Sequence, residues 1–159
     1  MASFIHLTDA RHANKLYRNG IRPAQSGDHA RAVFCVPVVA NFQTTFQWLR
    51  ELRRRGFRKM CAIQFKIPDA EIVSVGRYAQ PHIDMTAAEA VATFRRLDDA
   101  RGFEVLIVRA IKPKEITRLR SVPQVVGWRY YPEAKGKLPL WPRKGEIKGS
   151  RIRRSIIAR

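Results

Sequence analysis

Acidic residues are scarce in this chain of 159 residues: 13 Asp and Glu stand against 31 Lys and Arg, a formal net charge of +18. Such a surface attracts polyanions, nucleic acid first, although charge alone says nothing about sequence preference. Cysteine is rarer still. Cys35 and Cys61 sit inside apolar runs and read as two buried thiols, so no disulfide framework is expected. The four histidines (6, 12, 29, 82) and two cysteines show no C-x-x-C or H-E-x-x-H spacing, which excludes the usual zinc sites; no metal is expected. No P-loop, no G-x-G-x-x-G and no G-x-S-x-G occurs either. Apolar runs stay far short of eighteen residues, so no membrane span or membrane partner is expected. The opening Met1-Ala2-Ser3-Phe4-Ile5-His6 lacks the basic-then-apolar layout of an export signal, which points to a reducing cytoplasm.

What is present suits one globular domain with a sizeable core, since hydrophobic residues make up 45% of the chain. Phe4, Ile5 and Leu7 read as a short buried strand, with His6 and Thr8 on its opposite face. Asp9 can cap a helix carrying Ala13, Leu16 and Tyr17, which stops at Asn19-Gly20. Ala32 to Val39 reads as a strand buried on both faces, ended or bulged at Pro37. Asn41 opens a helix over 42–55 with Phe42, Phe46, Leu49 and Leu52 on one stripe. Strands follow at 59–67 and 70–75, then a loop through Gly76 and Pro81. A helix runs from Asp84 or Thr86 to about Ala100. The strongest strand spans 103–111, and a last one is expected from Val122 to Tyr130. The order β-α-β-α-β-β-α-β-β argues an α+β domain with mixed or antiparallel sheets and flanking helices. Residues 133–159 change character: nine Lys and Arg against two Glu, a net +7, read as a basic C-terminal arm. The expected division is therefore 1–132 and 133–159.

Two features carry both a structural reading, a histidine hydrogen-bonded at a sheet end and a glutamate paired with an arginine, and a functional one. His6-x-Thr8 puts two polar side chains at the end of a strand, just before a capped helix. Glu104 begins a strongly apolar strand, where a carboxylate loses solvation unless it sits at the strand mouth. On these residues the chain resembles the ADP-ribosyltransferase superfamily. Its members often begin with a strand carrying His-x-Thr or His-Gly-Ser/Thr, then a helix and a Gly-Leu/Ile-x-Pro exit, as Gly20-Ile21-Arg22-Pro23 stands here. The layout looks most like the DarT-type DNA ADP-ribosyltransferase toxins. Those also place Val-Pro before the second helix, like Val36-Pro37. They close with a strand resembling Glu104-Val105-Leu106-Ile107-Val108 and a turn resembling Lys112-Pro113-Lys114-Glu115-Ile116. The resemblance covers roughly residues 4–127.

The resemblance implies NAD as a substrate and ADP-ribose transfer to a DNA or RNA base, as a toxin does, with an antitoxin or other partner protein. His6 and Thr8 would hold the ribose and nicotinamide amide. Glu104 would be the catalytic carboxylate. Arg22 or Arg31 would face the pyrophosphate, because guanidinium pairs bidentately with phosphate oxygens. Tyr17, Phe42 and Trp48 are candidates to stack on nicotinamide. In the C-terminal stretch, Trp128, Tyr131 and Trp141 are interleaved with Arg129, Lys135, Lys137, Arg143 and Lys144, a mixture suited to stacking on unpaired bases beside neutralised phosphates. Three rival readings remain open. One is an RNA 2′-phosphotransferase on the same scaffold, whose Arg-His-x-Pro motif is missing. Another is a basic nucleic-acid-binding module without catalysis. The third is a subunit held inside a larger nucleoprotein assembly.

Overall fold

A computed structural model describes residues 1–25, 31–38, 42–78 and 80–122, with the side chains of 42–47 left aside. The chain divides into two compact units, Met1–Gln124 and Val125–Arg159. Everything from 123 onward lies outside the described residues, and with it the candidates Trp128, Arg129, Tyr131, Lys135, Lys137, Trp141, Arg143 and Lys144.

The first unit is α+β. Its elements are β1 (Ala2–Asp9), α1 (Ala10–Asn19), β2 (Val33–Pro37), α2 (Phe42–Arg54), β3 (Met60–Ile67), β4 (Ile72–Arg77), β5 (Ile83–Thr86), α3 (Ala87–Arg96), β6 (Phe103–Ile107), a short 3₁₀ turn (Pro113–Glu115) and β7 (Ile116–Ser121). The strands form one seven-stranded sheet in the order β5-β4-β6-β2-β1-β3-β7. Every pairing is antiparallel, so the expected alternative of a mixed sheet does not arise among the described residues.

One face of the sheet carries the core. Phe4, Ile63, Phe65, Cys35, Val105 and Val75 pack there against Ala87, Ala90 and Phe94 of α3, and Leu16 of α1 joins them. Phe94 meets Phe103 edge to face with centroids 4.9 Å apart, an aromatic geometry stabilising beyond its buried area. The other face carries α2, whose Trp48 indole donates to the Phe103 carbonyl at 3.1 Å. No helix among the described residues is long and apolar enough to cross a membrane.

Local chemistry sets most boundaries. Asp9 caps α1 by accepting from the Arg11 backbone N–H at 2.9 Å. Gly20 ends that helix at φ +83°, and a β-carbon there would collide with the Ile111 carbonyl. Thr86 caps α3 in a reciprocal box with Glu89.

Five expectations need correction. Phe4 does not share a face with Ile5 and Leu7: alternation sends it into the core, while Ile5 and Leu7 turn to the opposite side. The residues before Thr86, expected as loop, form β5, a four-residue edge strand too exposed for an apolar pattern to mark it. The helix ends at Arg96 rather than about Ala100. Arg77 takes the carbonyls of Asp99 and Arg101 at 2.7 and 2.9 Å and fixes a loop there instead. A strand also runs at Ile116–Ser121, where only Ile116 is buried; the expected strand at 122–130 falls almost wholly outside the described residues. The long apolar strand stops at Ile107, because Arg109 leaves the sheet to bind Glu71 and Glu115.

Candidate functional site

The sheet is joined weakly at its middle. Among the described residues β1 and β2 pair at Phe4 with Pro37 and Ile5 with Val36. Beyond that point β1 continues alongside β3 through Asp9, whereas β2 follows β6. A cleft of about 680 Å³ opens at this split, within the range of small-molecule sites, roughly 300–1,000 Å³. It is lined by His6 and Thr8 from β1, Cys35 from β2 and Glu104 from β6, and α2 supplies Trp48, Leu52 and Arg55; the register sets Ile5 and Leu7 on the Glu104 face of the sheet, while His6, Thr8 and Cys35 alternate with them on the Phe4 side of the split. His6, Thr8 and Glu104, separated by almost a hundred residues of sequence, thus line one cavity.

Each is held differently. His6 Nδ1 lies 2.8 Å from the Phe34 carbonyl. A carbonyl can only accept, so Nδ1 carries the hydrogen and, in the neutral ring, Nε2 is left as an acceptor. Burial pushes the His6 pKa below its ordinary value, and the Phe34 bond offsets this in part, so the ring is neutral at neutral pH. Thr8 is buried within the β1–β3 ladder opposite Cys61. Next to it, Asp9 is almost fully buried yet held below the usual carboxylate range by bonds from the Arg11 guanidinium and backbone. Asp9 is thereby committed to its cap.

Glu104 is only 4% exposed. A carboxylate so removed from water needs a partner. His82 lies beside it: its Nε2 stands 3.3 Å from Glu104 Oε1, within ion-pair distance when the ring is protonated, with both side chains buried. The approach depends on Gly76, the cross-strand neighbour of Glu104. A β-carbon at Gly76 would lie 2.8 Å from the His82 ring, closer than side chains tolerate. The ring therefore occupies space left by the absent side chain of Gly76. Nothing in the sequence singled out His82. Its position after Pro81, in a segment expected as loop, carried no periodic signal; Gly76, expected in the same loop, in fact lies within β4, where a glycine permits a close approach.

The walls are aromatic. Trp48 and Tyr78 meet edge to face at 6.0 Å, and Phe34 and Phe57 also line the cleft. Of the three stacking candidates, Trp48 lines the cavity and Tyr17 does not; the Phe42 side chain lies outside the described residues. Arg22 and Arg31 are exposed and not among the lining residues, and Arg31 instead donates to the Pro23 carbonyl at 3.3 Å. The chain leaving α1 still reaches the site, because Ala24 and Gln25 line it. Among the described residues, the Lys or Arg side chain that lines the cleft is Arg55. It escaped notice in the sequence because it falls at the end of a helix among other arginines. Cys35 is no nucleophile: burial raises its pKa well above the ordinary value, and its thiol donates to the Val105 carbonyl at 3.4 Å.

Comparisons with known protein families, with curated proteins and with solved structures return no match.

Proposed function

We propose that the cleft binds NAD and that the chain transfers ADP-ribose to a base of DNA or RNA, in the manner of the DarT-type toxins it resembles. The observation that carries this reading is the convergence of His6, Thr8 and Glu104 on one cavity. The cavity's chemistry fits the dinucleotide: aromatic walls for a flat ring, a neutral imidazole, a threonine and a buried carboxylate for ribose hydroxyls, and a guanidinium for phosphate. NAD supplies an activated glycosidic bond whose leaving group is neutral nicotinamide.

Within that reading the residues divide the work. The Glu104 carboxylate accepts a hydrogen bond from a ribose hydroxyl and holds negative charge where positive charge builds at the anomeric carbon. As the carbon–nicotinamide bond breaks, its electron pair stays on the pyridine nitrogen; the base nitrogen forms the new bond, and Glu104 receives its proton. His82 holds the carboxylate in place and is a positioning residue rather than a catalytic one. His6, fixed by the Phe34 carbonyl, offers Nε2 to a hydroxyl or amide N–H. Trp48 and Tyr78 supply stacking faces, and Arg55 is the cation for the pyrophosphate.

The test is direct. Purified full-length chain should release nicotinamide from NAD and label an oligonucleotide with ADP-ribose, and Glu104→Gln should abolish both. Tight salt-dependent binding without turnover would instead favour the non-catalytic binding module. Removal of a 2′-phosphate from RNA would favour the phosphotransferase.

A further inference from the structure

The positive charge is not spread evenly over the fold. Residues 68–100 build β4, β5 and α3 and carry three basic residues against six acidic ones (Asp69, Glu71, Asp84, Glu89, Asp98 and Asp99), a net of −3. Residues 50–59, at the end of α2, carry six basic residues against Glu51 alone, a net of +5. β7, at the sheet edge opposite β5, adds Arg118 and Arg120 and no acid.

The register places these last two arginines. Arg118 pairs with Gln64 and Arg120 with Ala62 on β3; Gln64 in turn pairs with Ile5 and Ala62 with Leu7 on β1. Residues paired across strands share a face. Arg118 and Arg120 therefore stand on the same face as Ile5 and Leu7, which line the cleft, two strands and about 10 Å away. Both are exposed, and among the described residues no acidic side chain pairs with either. The turn after α2 leads through Arg58 into β3 at Met60, and the next residue, Cys61, pairs with Ser121 of β7. Arg55 lines the cavity, and Arg53 ties the following turn by donating to the Arg58 carbonyl at 2.7 Å.

Arginines at a helix C-terminus are favoured by the helix dipole, which accounts for Arg53 and Arg54. Charges on an edge strand deter sheet-to-sheet association, and either sign would serve. Neither effect explains why one edge is acidic and the other basic, nor why the basic one shares a face with the cleft. We propose that the stripe from Arg58 to Arg118 and Arg120, beside the cleft that Arg55 lines, holds the phosphodiester backbone of a nucleic acid strand, with the acidic β5 edge turned away from it. As a feed to the active site this rests on the transferase reading; as a binding surface it stands alone.

The experiment titrates fluorescein-labelled single-stranded DNA, and RNA of the same sequence, into the full chain at several salt concentrations. Removing one arginine–phosphate pair should lower the slope of log K against log salt by about 0.7, so Arg118→Gln/Arg120→Gln should lower it by about 1.4. The charge-keeping Arg118→Lys/Arg120→Lys pair should keep the slope. Lys15→Gln/Arg18→Gln on α1 removes the same charge from the opposite face and should leave the slope unchanged. Equal reductions from both glutamine pairs would overturn the proposal in favour of diffuse attraction, as would no reduction from either. If the β7 glutamine pair fails to fold, Arg58→Gln reads the same stripe, with an expected drop of about 0.7. A drop with DNA or RNA alone names that strand as the partner. Nicotinamide release by the unmodified chain without oligonucleotide reports on the cleft separately, so its absence would sink the transferase reading and leave the binding result intact.

Discussion

The two flanks of the cleft are built from the same kind of strand and differ in almost everything else. On one side β1, β3 and β7 carry His6 and Thr8 and end in an exposed arginine edge. On the other, β2, β6, β4 and β5 carry Glu104 with His82, and end in an acid-rich edge. The first flank holds polar groups by hydrogen bonds to backbone, as His6 does with Phe34. The second buries a titratable pair and depends on a glycine to make room for it. A strand taking a polyanion on one side would be repelled on the other. Exposed arginines thus stand at the edge of one flank and a buried carboxylate on the other, and that separation is what the following experiments can break.

The largest effect should come from the buried carboxylate. Glu104→Gln keeps shape and removes charge, and should lower ADP-ribose transfer at least about 100-fold. NAD binding followed by calorimetry and the melting temperature should change far less. If transfer survives at the native rate, the acidic flank does not carry the chemistry.

Next comes the anchor of the acidic flank. Arg109 binds Glu71 through Nε and Nη2 at 2.8 and 2.6 Å, and Glu115 through Nη1 and Nη2 at 2.8 and 2.7 Å. Breaking such a doubly bidentate, partly exposed cluster with Arg109→Met should cost about 2 kcal/mol in denaturant unfolding. Arg109 holds Glu115 below the ordinary carboxylate pKa. That contribution is therefore present above the unfolded carboxylate range and is lost as pH falls through the folded value. The variant's deficit should shrink in acid; a deficit that persists unchanged at low pH would show that packing, not charge, was removed.

How these parts could be read from sequence depends on burial. The apolar strands β2, β3 and β6 and the capped helices carry strong periodic signals, and Asp9, Gly20 and Thr86 mark ends by their chemistry. Edge strands such as β5 and β7 bury one face poorly, so their patterns dissolve into polar sequence. Within the site, His6, Thr8 and Glu104 stood out because polar residues in apolar strands are costly. His82 and Arg55 did not, since a histidine after a proline and an arginine among arginines look ordinary until the fold brings them to the cleft.

His82 offers the next comparison. His82→Gln removes the imidazole beside Glu104 and should lower kcat about tenfold, with KM little changed and the acidic limb of the pH–rate profile displaced. Gly76→Ala should reproduce the defect from a distance, because its methyl group must push the ring away. A merely structural role would lower melting temperature without moving the pH profile. Matching kinetic defects with an unmoved profile would therefore remove His82 from the positioning role.

The smallest effect belongs to the opposite flank. Burial lowers the His6 pKa in the folded chain, so the unfolded chain binds a proton more readily from the ordinary histidine value downward. Stability then rises with pH across that window, and it falls as pH drops below about 6.5 toward the lowered folded value. The carboxylates add their own destabilisation only in more acidic solution, so mildly acidic conditions isolate the histidine. His6→Gln should flatten this part of the stability curve while leaving the plateau above neutral pH at a constant offset. Chemical denaturation at a series of pH values reads both. A native curve already flat between about pH 5 and 7 would mean that His6 accepts a proton as freely in the fold as outside it, and that its Nε2 is not reserved for a ligand.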